Sequence, residues 1–234
     1  DQGRYSAAMM MLTKAKALAI KYKMEDSIAS TSNSLGGVYK ELGKIDSAFS
    51  MYQYTIDVCR KTGDKLFKAT AYWNTSTLYR EIEQFDSALI YLDSAKTLVE
   101  EIKHVKLLKS VYRSGYLTNR VVGNMDEAEK YMSNLMEFID FELDHNFGFL
   151  TEKDKELYYK TMKYDFNIFS GFCLDYNSEI PELNSQAYNY ALRTKGMLLK
   201  SSTAMRNAIL SSQNEKLLND YDAWIDLQKK IADN

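Results

Sequence analysis

The chain has 234 residues, 45% of them hydrophobic and 26% charged, with 30 Lys and Arg against 32 Asp and Glu. That near-neutral balance gives no electrostatic reason to expect nucleic acid or an anionic membrane as partner, and no run of about 18 apolar residues exists to span a bilayer. A single proline and two cysteines point to an all-helical chain with neither a disulfide framework nor a zinc site.

The chain opens Asp-Gln-Gly with no signal-peptide pattern. It is read as a piece of a longer protein from which any targeting segment has been cut, with a lean to the cytoplasm. The first stretch, GRYSAAMMML (3–12), is a worn copy of text that returns as GKIDSAFSMY (43–52), EQFDSALIYL (83–92) and GNMDEAEKYM (123–132). Aligned on Ala8, Ala48, Ala88 and Ala128, the copies are spaced by forty residues. Each reads as a turn entering a second helix, helix B. Ser6, Asp46, Asp86 and Asp126 are expected at the N-cap, and Tyr5, Ile45, Phe85 and Met125 before them as hydrophobic staples. Gly3, Gly43 and Gly123 stand where the preceding helix, helix A, needs a left-handed C-terminal residue; Glu83 holds that place in the third copy. The alanines are small because two antiparallel helices approach closely there. Gly36 and Ser76 do the same on helix A, three residues before Tyr39 and Tyr79.

These residues resemble a tetratricopeptide (TPR) array. The family order of small residue, aromatic, Gly, Ala, aromatic is met by Gly36, Tyr39, Gly43, Ala48 and Tyr52, and then by Ser76, Tyr79, Ala88 and Tyr91/Leu92. The usual period is about 34 residues, so a period of forty implies longer helices or connections. In the fourth unit Tyr116 and Asn119 occupy the small and aromatic positions of helix A, and the first unit lacks its helix A. The resemblance implies an all-α, TPR-type helix-hairpin solenoid, a right-handed superhelix over residues 1–141, whose concave surface binds peptides or other domains.

The pattern stops near residue 140, and residues 142–234 are expected to form a helical extension. Asn146 and Gly148 are read as breakers, Thr151 as a cap paired with Asp154, and Tyr158, Tyr159, Met162, Phe166, Phe169 and Phe172 as the apolar side of a helix. Pro181 suits a first helical turn, and Ser212 with Glu215 reads as a capping box. Residues 187–232 resemble the connector that follows the array in bacterial TPR–CHAT proteins, through Leu192, Arg193, Lys195, Gly196, Leu198, Leu199, Ser201, Ser202, Tyr221 and the segment 227–232. That likeness implies a caspase-like Cys–His protease domain beyond residue 234, in contact with this chain.

No chemistry is read within the chain itself. Cys59, Cys173, His104 and His145 lack the contexts of a thiol protease, no glycine-rich phosphate loop occurs, and no catalytic residue, metal site or cofactor is expected. Met9–Met11 reads as core and crossing surface. What remains is a surface. Lys40, Arg80 and Arg120 recur at forty-residue spacing near the end of helix A. The same face is expected to show Asn33, Gly37, Trp73, Asn74, Thr77, Arg113 and Leu117. A basic ladder beside a Trp could hold an acidic segment with an apolar anchor. The bland alternative is structural: a cation in the last helical turn interacts with the macrodipole or pairs with Glu41 or Glu81. Chaperone-tail-binding TPRs carry Asn where this chain has Gly37, Thr77 and Leu117, which disfavours that ligand class. The expected function is a protein–protein interaction scaffold, the regulatory portion of a CHAT-type protease. The alternative is a sensory segment of another bacterial signalling protein, such as a histidine kinase or transcription regulator. Self-association is expected through the ends, by Met9, Met10 and Leu12 or by Trp224, Leu227 and Ile231.

Overall fold

A computed structural model describes residues 2–146, 152–176, 180–212 and 214–232. The described residues form helices and short turns, without strands: α1 (Gln2–Lys21), α2 (Glu25–Glu41), α3 (Ile45–Thr62), α4 (Lys65–Glu81), α5 (Phe85–Ile102), α6 (Val105–Val122), α7 (Met125–Asn146), α8 (Glu152–Tyr176), α9 (Glu182–Ser211) and α10 (Glu215–Ala232). They divide into two compact units, Asp1–Phe138 and Ile139–Asn234.

In the first unit the sequence period becomes a structural one. Helices α2, α4 and α6 start at residues 25, 65 and 105, and α3, α5 and α7 at 45, 85 and 125. Helices α2 to α6 are 17 or 18 residues long, with two or three residues between them. The six residues gained over the usual period of about 34 therefore lie in the helices and not in the loops.

The turns explain why the same text recurs. Each helix A ends in a paired closure: the amide of Lys44 donates to Tyr39 O (2.8 Å) while that of Gly43 donates to Lys40 O (2.9 Å). Gln84 and Glu83 repeat this on Tyr79 and Arg80, and Asn124 and Gly123 on Asn119 and Arg120. This Schellman arrangement satisfies carbonyls that the helix end would leave open, and it needs one residue at positive φ. Gly43 (φ +69°) and Gly123 (+77°) supply it, and Glu83 holds the same conformation at +61° despite its side chain.

Three expectations about helix starts are corrected. Asp46, Asp86 and Asp126 are not caps; the helices already begin at Ile45, Phe85 and Met125. Lys44 and Gln84 cap α3 and α5 without a side-chain bond. The left-handed residue turns the chain so sharply that the next residue but one is already helical. The aspartates then sit in the first turn, where a carboxylate still meets the positive end of the macrodipole. For the same reason Ile45 is a first-turn core residue and not a staple; it packs with Tyr39 and Phe49 on the buried cluster of Ala48, Tyr52 and Leu78. The worn first copy makes no turn, because α1 runs unbroken from Gln2 through Gly3 and Ser6. Side-chain caps occur instead at the entries to helix A. Asp64 accepts from the Phe67 amide at 2.9 Å, and His104 Nδ1 accepts from that of Leu107 at 3.3 Å.

Packing follows the small residues. Ala48, Ala88 and Ala128 are fully buried. Gly36 lies under the ring of Tyr52, and Gly115 under that of Tyr131. The middle hairpin meets the same need with a larger small residue and a smaller large one, Ser76 and Leu92, both buried. In the last hairpin the contact is displaced by one residue on both helices, Gly115 for position 116 and Tyr131 for position 132. Tyr116 and Asn119, placed by alignment in the small and aromatic positions, are buried, and the Asn119 side-chain Nδ2 donates to Gly115 O at 2.9 Å. Aromatic rings link successive helices: Phe49 to Tyr79 (4.6 Å between centroids) and Tyr79 to Tyr91 (5.3 Å, stacked).

In the second unit α8 carries its apolar side as read, with Met162, Phe169, Phe172, Cys173 and Tyr176 buried. Tyr190 of α9 packs edge-on to Phe169 at 5.1 Å, and its hydroxyl donates to Asp140 Oδ2. Pro181 directly precedes α9 with helical backbone angles. Ser212 closes α9, and the cap of α10 is Asn214, whose Oδ1 accepts from the Leu217 amide at 3.2 Å. That replaces the expected Ser212–Glu215 box. Asn146 still belongs to α7; Gly148 and Thr151 lie outside the described residues.

Candidate peptide-binding face

Helices α2, α4 and α6 lie side by side in the first unit. Residues seven apart on one helix share a face two turns apart, about 10 Å along the axis. The face therefore carries three rows. Asn33, Trp73 and Arg113 form the first, Gly37, Thr77 and Leu117 the middle one, and Lys40, Arg80 and Arg120 the last. Each member of the last row offers its backbone carbonyl to the left-handed residue that closes its helix, so the three cations occupy equivalent places in the last turn, where they complement the negative end of the dipole.

The side chains are engaged with one another across neighbouring helices. The Asn74 Nδ2 donates to Asn33 Oδ1 at 3.0 Å, and the Trp73 indole N–H donates to Ser114 Oγ at 2.8 Å. Lys40 Nζ stands 2.7 Å from Glu81 Oε1. All three bonds join a residue to one 41 positions later. Thr77 Oγ1 bonds back to Trp73 O at 3.1 Å. Asn33, Lys40, Trp73, Asn74, Thr77, Arg80 and Arg113 are half-buried and Arg120 is exposed.

The structure thus brings Asn33 to Asn74, and it places Trp73 against a residue that the sequence reading passed over, Ser114. It also departs from a uniform ladder. Lys40 is held by Glu81, the pairing that the bland alternative named. Position 121, equivalent to Glu81 in α6, is Val121, so this pairing is particular to α2 and α4. Ser114 was visible only as a short polar residue one place after the Arg113 column.

The groups that might have served catalysis have other employment. Cys59 is buried and its thiol is pushed up to about 11, by burial first and then by Asp64. Burial also pushes Cys173 up to about 11. Both are the reverse of an activated thiolate. His104 is spent as a helix cap, which requires the tautomer with its proton on Nε2. His145 stacks on Phe141 at 4.0 Å. Among the described residues no group of His, Cys, Asp or Glu converges to hold a metal ion, and no helix is long and apolar enough to cross a membrane.

Helix hairpins stacked at a fixed period, with small residues at each crossing and a polar face along every first helix, define an all-α array of the tetratricopeptide type, a protein–protein interaction scaffold. Residues 26–101, from α2 to the end of α5, match the tetratricopeptide repeat family. A solved structure, the apo form of RapI, is similar over 86% of this chain and 84% of its own, at 14% identity and a TM-score of 0.47. No curated protein sequence matches the chain.

Proposed function

We propose that the face formed by α2, α4 and α6 holds an extended acidic segment of a protein partner. The observation that carries this reading is the Asn33–Asn74 pair. Its single cross-helix bond uses one donor and one acceptor and leaves the Asn33 Nδ2 and the Asn74 Oδ1 to meet one peptide unit of a ligand. Trp73 lies beside the pair and offers its ring face to an apolar anchor, while Arg80, Arg113 and Arg120 supply positive charge for ligand carboxylates. Arrays of acidic peptides with one aromatic residue, probed with the whole chain, test it. Binding should weaken with salt, since exposed charges are screened beyond about 8 Å at physiological ionic strength. Arg120→Glu, Arg80→Glu and Trp73→Ala should each weaken it at least about fivefold, a coupling of about 1 kcal/mol. Lys130→Glu, on α7, should not. Equal effects from Lys130 and Arg120 would overturn the reading.

In the whole protein this portion serves as the regulatory part of a CHAT-type protease. The support is the likeness of residues 187–232 to the TPR–CHAT connector, carried by Leu192, Arg193, Lys195, Gly196, Leu198 and Leu199. Partner binding on the array then releases or restrains a downstream protease. The residues encoded after Asn234 decide it: a His-Gly and a Gly-flanked Cys in a caspase-like order support the reading. A kinase or DNA-binding segment there replaces it with the sensory alternative.

A further inference from the structure

Glycine inside a helix weakens it, and two helical glycines of this chain show what is gained in return. Gly36 and Gly115 each lie under a tyrosine ring, that of Tyr52 and Tyr131, where a side chain would not fit. Gly171 stands within α8, yet a Cβ built on it would meet nothing within 4 Å. It lies on the side of α8 opposite the buried Met162, Phe169 and Phe172. Leu157, Tyr164 and Gly171 recur on that side at seven-residue spacing, with Leu174 beside them. The three large side chains, Leu157, Tyr164 and Leu174, are exposed at 62%, 56% and 72%. This side of α8 thus carries both a tyrosine ring and an empty seat for one. They are two turns apart on one helix, about 10 Å, and cannot meet within one chain.

The openness of this side does not say what covers it; its self-complementarity does. When two α8 helices lie antiparallel with Asn167 and Ile168 at the two-fold axis, Tyr164 of each copy faces Gly171 of the other. The same register sets Lys160 of each copy against Asp175 of the other, and Leu174 against Thr161. A parallel pair in register would set lysine on lysine and aspartate on aspartate, so charge selects the antiparallel pair. Lys160, Tyr164 and Asp175 also have contacts within their own chain, and their exposure gives them reach beyond it. We propose that two copies of this protein associate through α8 in this two-fold arrangement. Each Tyr164 ring sits on Gly171 of the other copy, with a Lys160–Asp175 pair at both ends. The two-fold closes the assembly at a dimer, since both copies use the same surface. The proposal concerns the second unit alone and does not depend on the reading of the α2, α4 and α6 face.

Sedimentation equilibrium of the whole chain over a concentration series tests it and should show a reversible monomer–dimer equilibrium. Tyr164→Ala and Gly171→Leu should each weaken the dimer about tenfold or more. The leucine fills the seat but enters open space in the single chain, so circular dichroism should find the fold intact. Lys160→Glu and Asp175→Lys each set like charges together and should each dissolve the dimer. An equal mixture of these two variants should restore it. The new glutamate of one copy then meets the new lysine of the other, and the native Asp175 meets the native Lys160. A role confined to the single chain would give no such rescue. A monomer at every concentration, or a dimer indifferent to Tyr164→Ala and Gly171→Leu, would overturn the proposal. So would a mixture of the charge variants no more dimeric than either alone.

Discussion

Replacing Gly36 with alanine asks for a methyl group where Tyr52 already stands. A Cβ built on Gly36 lies 2.7 Å from Tyr52 Cδ1 and 3.0 Å from its Cζ, well inside normal carbon contact. Tyr52 is 1% exposed and held against Ala48 and Leu78, with Tyr39, Ile45 and Phe49 around them, so its ring has nowhere to swing. Two effects oppose each other. Alanine gains about 1 kcal/mol over glycine in a helix interior, and overpacking of a tight core costs about 1–3 kcal/mol. With aromatic carbons and not a flexible chain end in the way, overpacking should win, for a net loss of about 1–2 kcal/mol. Tyr52→Leu alone should cost about 1–2 kcal/mol through the space it leaves. Together the two changes should cost less than their sum by at least about 1 kcal/mol, because the α4–α5 hairpin already works with Ser76 opposite Leu92. Urea unfolding followed by Trp73 fluorescence measures all four corners of the cycle. A Trp224→Phe background is used because Trp224 lies in the other unit. A Gly36→Ala protein more stable than the parent, or coupling below about 0.5 kcal/mol, would refute the packing argument.

Ala88→Leu should destabilise by about 1–3 kcal/mol or more, since Ala88 is fully buried at its crossing; an unchanged urea midpoint would mean the crossing lies elsewhere. Glu83→Gly should stabilise by about 1 kcal/mol in the same assay, because a side chain at φ +61° bears the left-handed penalty that glycine avoids, while Gly43→Ala should do the opposite. Burial, with Glu81 and Glu41 adding to it, pushes Tyr52 up to about 12, and burial with Asp93 and Glu127 does the same for Tyr131. The neutral phenols are thus favoured in the folded state: their contribution is full below pH 10 and should be lost as pH rises from 10 to 12, where the unfolded chain ionises first. A stability flat across that window would contradict the burial of both rings.

Much of the first unit could be read from the amino acids because its constraints act at single positions. A left-handed helix end selects glycine, and a close crossing selects alanine or glycine, so Gly43, Gly123, Ala48 and Ala88 announce themselves. Misreadings arose where two positions satisfy the same physics. An aspartate serves either as cap or in the first turn, and only backbone angles separate Asp46 at one from Asp46 at the other. Alignment keeps positions in columns, whereas a helix turns by about 100° per residue, so a shift of one on both helices moved the last crossing to Gly115 and Tyr131. His104 and Asn214 were missed as caps because composition does not say which polar side chain will find a free amide.

The candidate face was harder to read, and the offset of its bonds explains why. Asn33 with Asn74, Trp73 with Ser114 and Lys40 with Glu81 are each 41 apart in a chain that repeats every forty, so each bond joins one column to its neighbour and no single column displays a pair. These bonds hold adjacent helices in register, and that limits what a ligand can use. A partner that took the Trp73 indole N–H or the Lys40 charge would first break an interhelical bond, forfeiting about 0.5–1.5 kcal/mol. The remaining amide groups of Asn33 and Asn74 are not spent on their mutual bond, and a guanidinium has five donors, so Arg80 and Arg120 can serve a neighbour and a ligand together. On the function proposed above, the face would therefore select for a backbone amide, an apolar anchor and one or two carboxylates toward α4 and α6, with Lys40 serving the stack and not the ligand.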